Sequence, residues 1–160
     1  MVEKFLKYTL IAAAAIVALA ACVKNHTTVV NQIVADSAYN GTFYVDKSYT
    51  QDSCVVFLEF PDDGTATLTM VGVRLSSSDT TYYPISIASL KYSATSSSIT
   101  IKGDNIVPTV SGDEQSDLTV KNLDITVDSK ANPERIIFTM TMGSHDVSYT
   151  GELVYKKYIE

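Results

Sequence analysis

From Asn40 onward, apolar and polar residues alternate with a period of two, and this pattern confines the chain to β-structure. It is clearest in Thr65–Arg74, where Ala66, Leu68 and Met70 share one face and Thr65, Thr67 and Thr69 the other. β-Branched and aromatic residues dominate, and no stretch beyond Asn40 holds a helical period. The alternation predicts strands at Gly41–Tyr49, Ser53–Phe60, Thr65–Arg74, Tyr83–Tyr92, Ser98–Val107, Asp117–Val127, Arg135–Met142 and His145–Lys156. The breaks between them carry turn chemistry: Pro61-Asp62-Asp63-Gly64, Ser76-Ser77-Ser78-Asp79, Ser111-Gly112-Asp113-Glu114-Gln115 and Gly143-Ser144. In the sixth strand Leu118 and Val120 have one parity, and Leu123, Ile125 and Val127 the other. A bulge near Lys121-Asn122 reconciles the two phases.

Short antiparallel strands joined by tight turns form a meander. The expected fold is all-β, an eight-stranded antiparallel up-and-down β-barrel, with a two-sheet β-sandwich as the alternative. Closure removes the exposed edges that template aggregation. An eight-stranded barrel is either filled by its own side chains or just wide enough to hold one small ligand. The 160-residue length suits a single such domain over 39–160.

The first segment is an address rather than part of that domain. Lys4 and Lys7 precede the apolar run Leu10–Ala21, which is too short to span a bilayer, a task that takes about 20 residues. The exit Leu19-Ala20-Ala21-Cys22 resembles the lipobox of bacterial lipoproteins. That resemblance implies a signal peptide over 1–21, cleavage before Cys22 and acylation of Cys22, which anchors the chain to a membrane through buried acyl chains. Residues 22–38 then form a tether, in which Val29, Val30, Ile33 and Val34 allow a short helix or an added strand. Val23 follows the cysteine where an Asp would resemble an inner-membrane retention signal, so the outer membrane is the expected site. Either face of it remains open.

The segments Gly64-Thr65-Ala66-Thr67-Leu68-Thr69-Met70 and Asn105-Ile106-Val107-Pro108, with Gly112 after it, resemble the calycin-like lipoproteins of Bacteroidales. The closing Val147-Ser148-Tyr149-Thr150-Gly151-Glu152-Leu153 adds to that likeness, which covers about 39–156. It implies a lipocalin-like barrel, and it carries no catalytic motif to transfer.

Little here suggests chemistry. The net charge of -6 argues against nucleic acid, which calls for a basic stripe. With Cys22 acylated, Cys54 is a lone thiol in Ser53-Cys54-Val55-Val56 and reads as a small core residue. Ser144, His145 and Asp146 are adjacent in sequence, whereas a catalytic triad is assembled in space from side chains that converge. His26 lies on the tether. Asp62-Asp63 and Asp113-Glu114 with Asp117 lack calcium-loop spacing and read as solvated turns. No enzyme activity, metal or cofactor is expected.

Binding is the remaining class. A ligand-holding barrel would be lined by residues such as Leu68, Met70, Phe138, Met140, Tyr149 and Leu153. The chain has 10 Tyr, whose apolar bodies and polar tips suit pockets as well as strands. Among them Tyr82 and Tyr83, beside the 75–81 loop, are the candidate pocket-rim or partner-contact pair. Two readings follow: a tethered binder of a small apolar or amphipathic ligand, or an interaction module that contacts an envelope protein through loops 75–82 and 111–117. Asp36-Ser37-Ala38 and Asp79-Thr80-Thr81 also resemble the acceptor of Bacteroidetes O-glycosylation, which makes Ser37, and less so Thr80, a candidate glycan site.

Overall fold

The computed structural model describes residues 34–157. Cys22, the signal segment and most of the tether lie outside the described residues. The described chain forms one antiparallel sheet of eleven strands: β1 Ser37–Val45, β2 Tyr49–Glu59, β3 Ala66–Val73, β4 Tyr83–Leu90, β5 Tyr92–Ala94, β6 Ser98–Gly103, β7 Thr109–Val110, β8 Asp113–Glu114, β9 Val120–Asp128, β10 Arg135–Met142 and β11 His145–Lys156. Their order is β5-β6-β9-β10-β11-β1-β2-β3-β4-β7-β8, and the sheet curls into a half-barrel. The difference from eight strands has local causes. The expected fourth strand divides at Lys91, the fifth stops at Gly103, and the following loop forms its own short hairpin, β7–β8, and a single turn at Ser116–Leu118.

Alternation places the core on the concave face, because successive side chains on a strand point to opposite sides. Ala66, Leu68 and Met70 of β3 and Ile136, Phe138, Met140 and Met142 of β10 all point inward and are buried. Residues paired directly across two strands share a face, so Phe138 meets Tyr149 and Met140 meets Val147. Each fully buried side chain of this size contributes roughly 1.5–3 kcal/mol.

Bulges reset that phase at several places, two of them between β3 and β4. In β9 the register shifts opposite Thr139–Thr141, and Asn122 takes a left-handed φ of 51°. Val120 and Leu123 are therefore both buried, as the change of parity at Lys121-Asn122 predicts. In β2 Ser53 has a φ of 59° and the register slips between Gly41 and Phe43. That slip makes Thr50–Asp52 look like a break in the sequence. The actual turn is Asp46-Lys47, with φ of 52° and 57°, closed by Ser48 N–H donating to Val45 O at 3.1 Å. In β11 the register shifts as Tyr39 pairs with Leu153 and Ala38 with Tyr155, leaving Val154 extra. Tyr155 therefore turns out to solvent and Lys156 turns in, the reverse of simple alternation.

The half-barrel has two unlike ends. The chain enters at one, where Lys157 N–H donates to Asp36 O at 2.8 Å and Phe60 N–H donates to Asp36 Oδ1 at 2.9 Å. The loops 46–48, 74–82, 104–119 and 143–144 meet at the other, the mouth. β1 joins the two ends with 9 residues, and at about 3.3 Å per residue they lie roughly 30 Å apart.

Candidate functional site at the mouth of the half-barrel

The expected ligand-lining residues are spent on one another. Leu68, Met70, Phe138 and Tyr149 have no exposed surface, and Met140 keeps 4%. Phe138 and Tyr149 stack with ring centroids 5.0 Å apart. These side chains belong to a continuous apolar cluster running from Tyr39 in β1 to Val147 in β11, and Leu153 packs half-buried against it. These side chains form the packed core of the concave face.

One opening lies at the mouth. A cleft of ≈ 240 Å³ is lined by Leu75, Asp79, Tyr83, Ile85, Val110, Gln115 and Leu118. It brings together the two loops that the sequence singles out, 75–82 and 111–117, and it contains Tyr83. Ile85 forms the floor, since its side chain also belongs to the core. Leu75, Val110 and Leu118 are half-buried and pack against the same core from the loops. Nothing in the alternation marks Val110 or Leu118 as neighbours of Leu75. The β4–β7 pairing brings Val110 opposite Ile85, and the cleft joins both to Leu75 and Leu118.

The 74–82 loop is held by polar and ring contacts around Arg74 and Asp79. The Arg74 guanidinium lies 4.7 Å from the Tyr82 ring centroid and 5.5 Å from that of Tyr49. Arg74 Nε donates to Tyr49 Oη at 3.0 Å and Nη1 to Asp79 O at 3.1 Å. The Asp79 carboxylate accepts the N–H groups of Leu75 and Ser76, each at 3.1 Å. Gln51 accepts Arg74 N–H at 3.1 Å and donates to Gly72 O at 2.6 Å. Tyr82 lies outside the cleft as the outer face of the arginine stack. It stays 55% exposed and Tyr83 40%, so both remain available to a partner.

The Asp46-Lys47 turn and the Gly143-Ser144 turn are clasped together beside the mouth. The His145 Nδ1 and Asp46 Oδ2 are 2.7 Å apart, Asp146 N–H donates to Asp46 Oδ1 at 2.8 Å, and Asp46 N–H donates to Asp146 O at 2.8 Å. His145 therefore partners Asp46 of the β1–β2 turn, 99 residues away in sequence. Its bond, followed by the Asp146 N–H, holds the Asp46 carboxyl below its usual range. Next to it runs a more open groove of ≈ 670 Å³ on the convex face, lined by Tyr44, Lys47, Asn122, Thr139, Thr141, Asp146 and Ser148 together with Met140 and Val147.

Other candidate groups are placed as follows. Cys54 is buried in the core, and burial pushes its thiol up to about 11, which disfavours the nucleophilic thiolate. Among the described residues, no three of His, Cys, Asp and Glu converge as a metal site. Ser37 is 3% exposed and its hydroxyl donates to Ala35 O at 2.7 Å. Thr80 is exposed on the mouth loop. Compared with known proteins, the chain matches no family model, no curated protein and no solved structure.

Proposed function

We propose that this protein is a non-catalytic recognition module, tethered to the outer membrane through an acylated Cys22, that docks an apolar group of an envelope partner in its mouth cleft. The observation that carries the reading is the cleft between Tyr83, Leu75, Val110 and Leu118. The size of this cleft favours one kind of ligand at the mouth. Sites for free small molecules run to roughly 300–1,000 Å³, and ≈ 240 Å³ suits one inserted side chain or an equally small apolar group better than an enclosed lipid. The solid core beneath it supports the same choice.

The geometry of the ends supports the tether. The chain enters at the end opposite the mouth, so an anchor at Cys22 would hold the cleft away from the lipid surface. The finer fold is part of this proposal. β4 and β5 follow one another through Lys91 and pair with β3 and β6, so treating them as one strand and the β7–β8 hairpin as an insertion gives eight, a calycin-like barrel.

The test is site-specific photocrosslinking in intact cells, with the crosslinker at position 82 on the mouth and at position 137 on the convex face as control. A partner captured from 82 alone, and lost when Tyr83→Ala and Leu118→Ala are added, is the expected result. Equal capture from both positions, or none from either, overturns it.

A further inference from the structure

We infer that the partner segment docking in the mouth cleft is cationic, an apolar side chain flanked by Lys or Arg; this rests on the cleft being the recognition site. The cleft is apolar at its floor and acidic at its rim. Asp79 lines it directly, and Asp113, Glu114 and Asp117 are exposed on the segment that supplies Val110, Gln115 and Leu118. Among the described residues none of these four carboxylates lies within 4.0 Å of a basic side chain, whereas Lys102, Arg135, Lys156 and Lys157 elsewhere all have acidic partners. Arg74 is the nearby cation, and the rings of Tyr49 and Tyr82 and the oxygen of Asp79 occupy it.

Two consequences follow from charge and shape together. A rim of unpaired carboxylates around a low-dielectric cleft attracts a cation and repels acidic competitors, which raises association rates by about 10–1000-fold at low salt. Exposed carboxylates act within a Debye length, about 8 Å at physiological salt, so the preference must weaken as salt rises. The apolar floor requires that charge alone be insufficient: the inserted side chain has to fill the space between Leu75, Tyr83 and Leu118.

The experiment uses the full chain in detergent and short synthetic peptides with a central phenylalanine flanked by lysines, serines or glutamates. A fourth peptide keeps the lysines and replaces phenylalanine by serine. Binding is followed by NMR shifts of the amides of Tyr83 and Leu118. The expected order is lysine–phenylalanine over serine–phenylalanine by about tenfold at low salt, with no detectable glutamate binding. The combined Asp113→Asn, Glu114→Gln and Asp117→Asn variant should erase that tenfold preference while leaving the serine peptide unaffected. These three side chains are exposed, so the fold tolerates the change. Equal binding of the lysine and serine phenylalanine peptides overturns the cationic inference and leaves the cleft as the site. Equal binding of both lysine peptides, or no shift with any peptide, overturns the cleft reading as well.

Discussion

The Tyr149 hydroxyl donates to the main-chain oxygen of Cys54 at 2.9 Å, from a strand two places away in the sheet. The side chain gets there by passing over β1 at Gly41, which pairs directly with Gly151. A Cβ on Gly151 would overlap the Tyr149 ring, and a Cβ on Gly41 would overlap the backbone at Thr150 and Gly151. Both glycines are therefore required by close approach.

Gly41→Ala and Gly151→Ala should each destabilise the domain by about 1–3 kcal/mol, because the ring and the backbone have nowhere to move in a packed core. Tyr149→Phe keeps the ring and removes only the hydrogen bond, a loss of about 1 kcal/mol. Urea denaturation of the three variants checks the order. A Tyr149→Phe variant less stable than Gly151→Ala would contradict this account.

At the opposite end of the core, Tyr39 Oη donates to Glu134 Oε1 and Lys156 Nζ donates to Glu134 Oε2, each at 2.8 Å. The Lys156 and Glu134 side chains are only 8% and 9% exposed. Glu134→Gln leaves Lys156 without its counter-charge, and the expected loss is about 3 kcal/mol. Replacing both residues by Leu should recover part of it. A midpoint unchanged in Glu134→Gln would show that Lys156 reaches water instead.

Alkaline pH should unfold the domain in steps. Burial raises Cys54 from 9.0 to about 11, and burial also lifts Tyr39 and Tyr149 above 10.0. A raised pKa means that the folded state favours the protonated form. That stability is complete below the unfolded pKa and is lost as pH rises through the folded value. Stability should hold to about pH 9, fall between 9 and 11 with Cys54 and fall faster above 10 as the tyrosines ionise in the unfolded chain. In Cys54→Ala the first fall should vanish, as seen in melting temperature against pH.

Acid acts through the mouth clasp. Asp46 is held below 3.8 by His145 and by the Asp146 N–H. A depressed carboxyl contributes stability above the unfolded pKa and loses it as pH falls through the folded value. The Asp46 carboxyl carbon should therefore titrate by NMR with a midpoint below 3.8, and His145→Ala should move the midpoint upward. An unmoved midpoint would assign the shift to the Asp146 N–H alone.

Much of the fold could be read from the chain because the parity of a strand is local. Leu68 and Met70, or Phe138 and Met140, fall on one face whatever surrounds them, and two phases within Asp117–Val127 require a bulge. β10 and β11 begin and end where the pattern and the Gly143-Ser144 turn put them. Other boundaries were hidden where a bulge mimics a turn, as at Ser53, or where one extra residue reverses the faces, as at Val154. The β7–β8 hairpin is only two residues a side, too short to alternate.

Periodicity alone thus determined that the domain from Asn40 onward is all-β and, away from the bulges, which side chains share a face, since both follow from covalent geometry within a few residues. Only the tertiary structure decided that the inward faces fill the half-barrel and that a cleft lies between Leu75, Tyr83 and Leu118. Enclosed volume depends on how side chains from every strand interdigitate, and no local pattern carries that sum. The pairing of Tyr39 with Glu134, 95 residues apart, was settled at the same level, by register across the sheet.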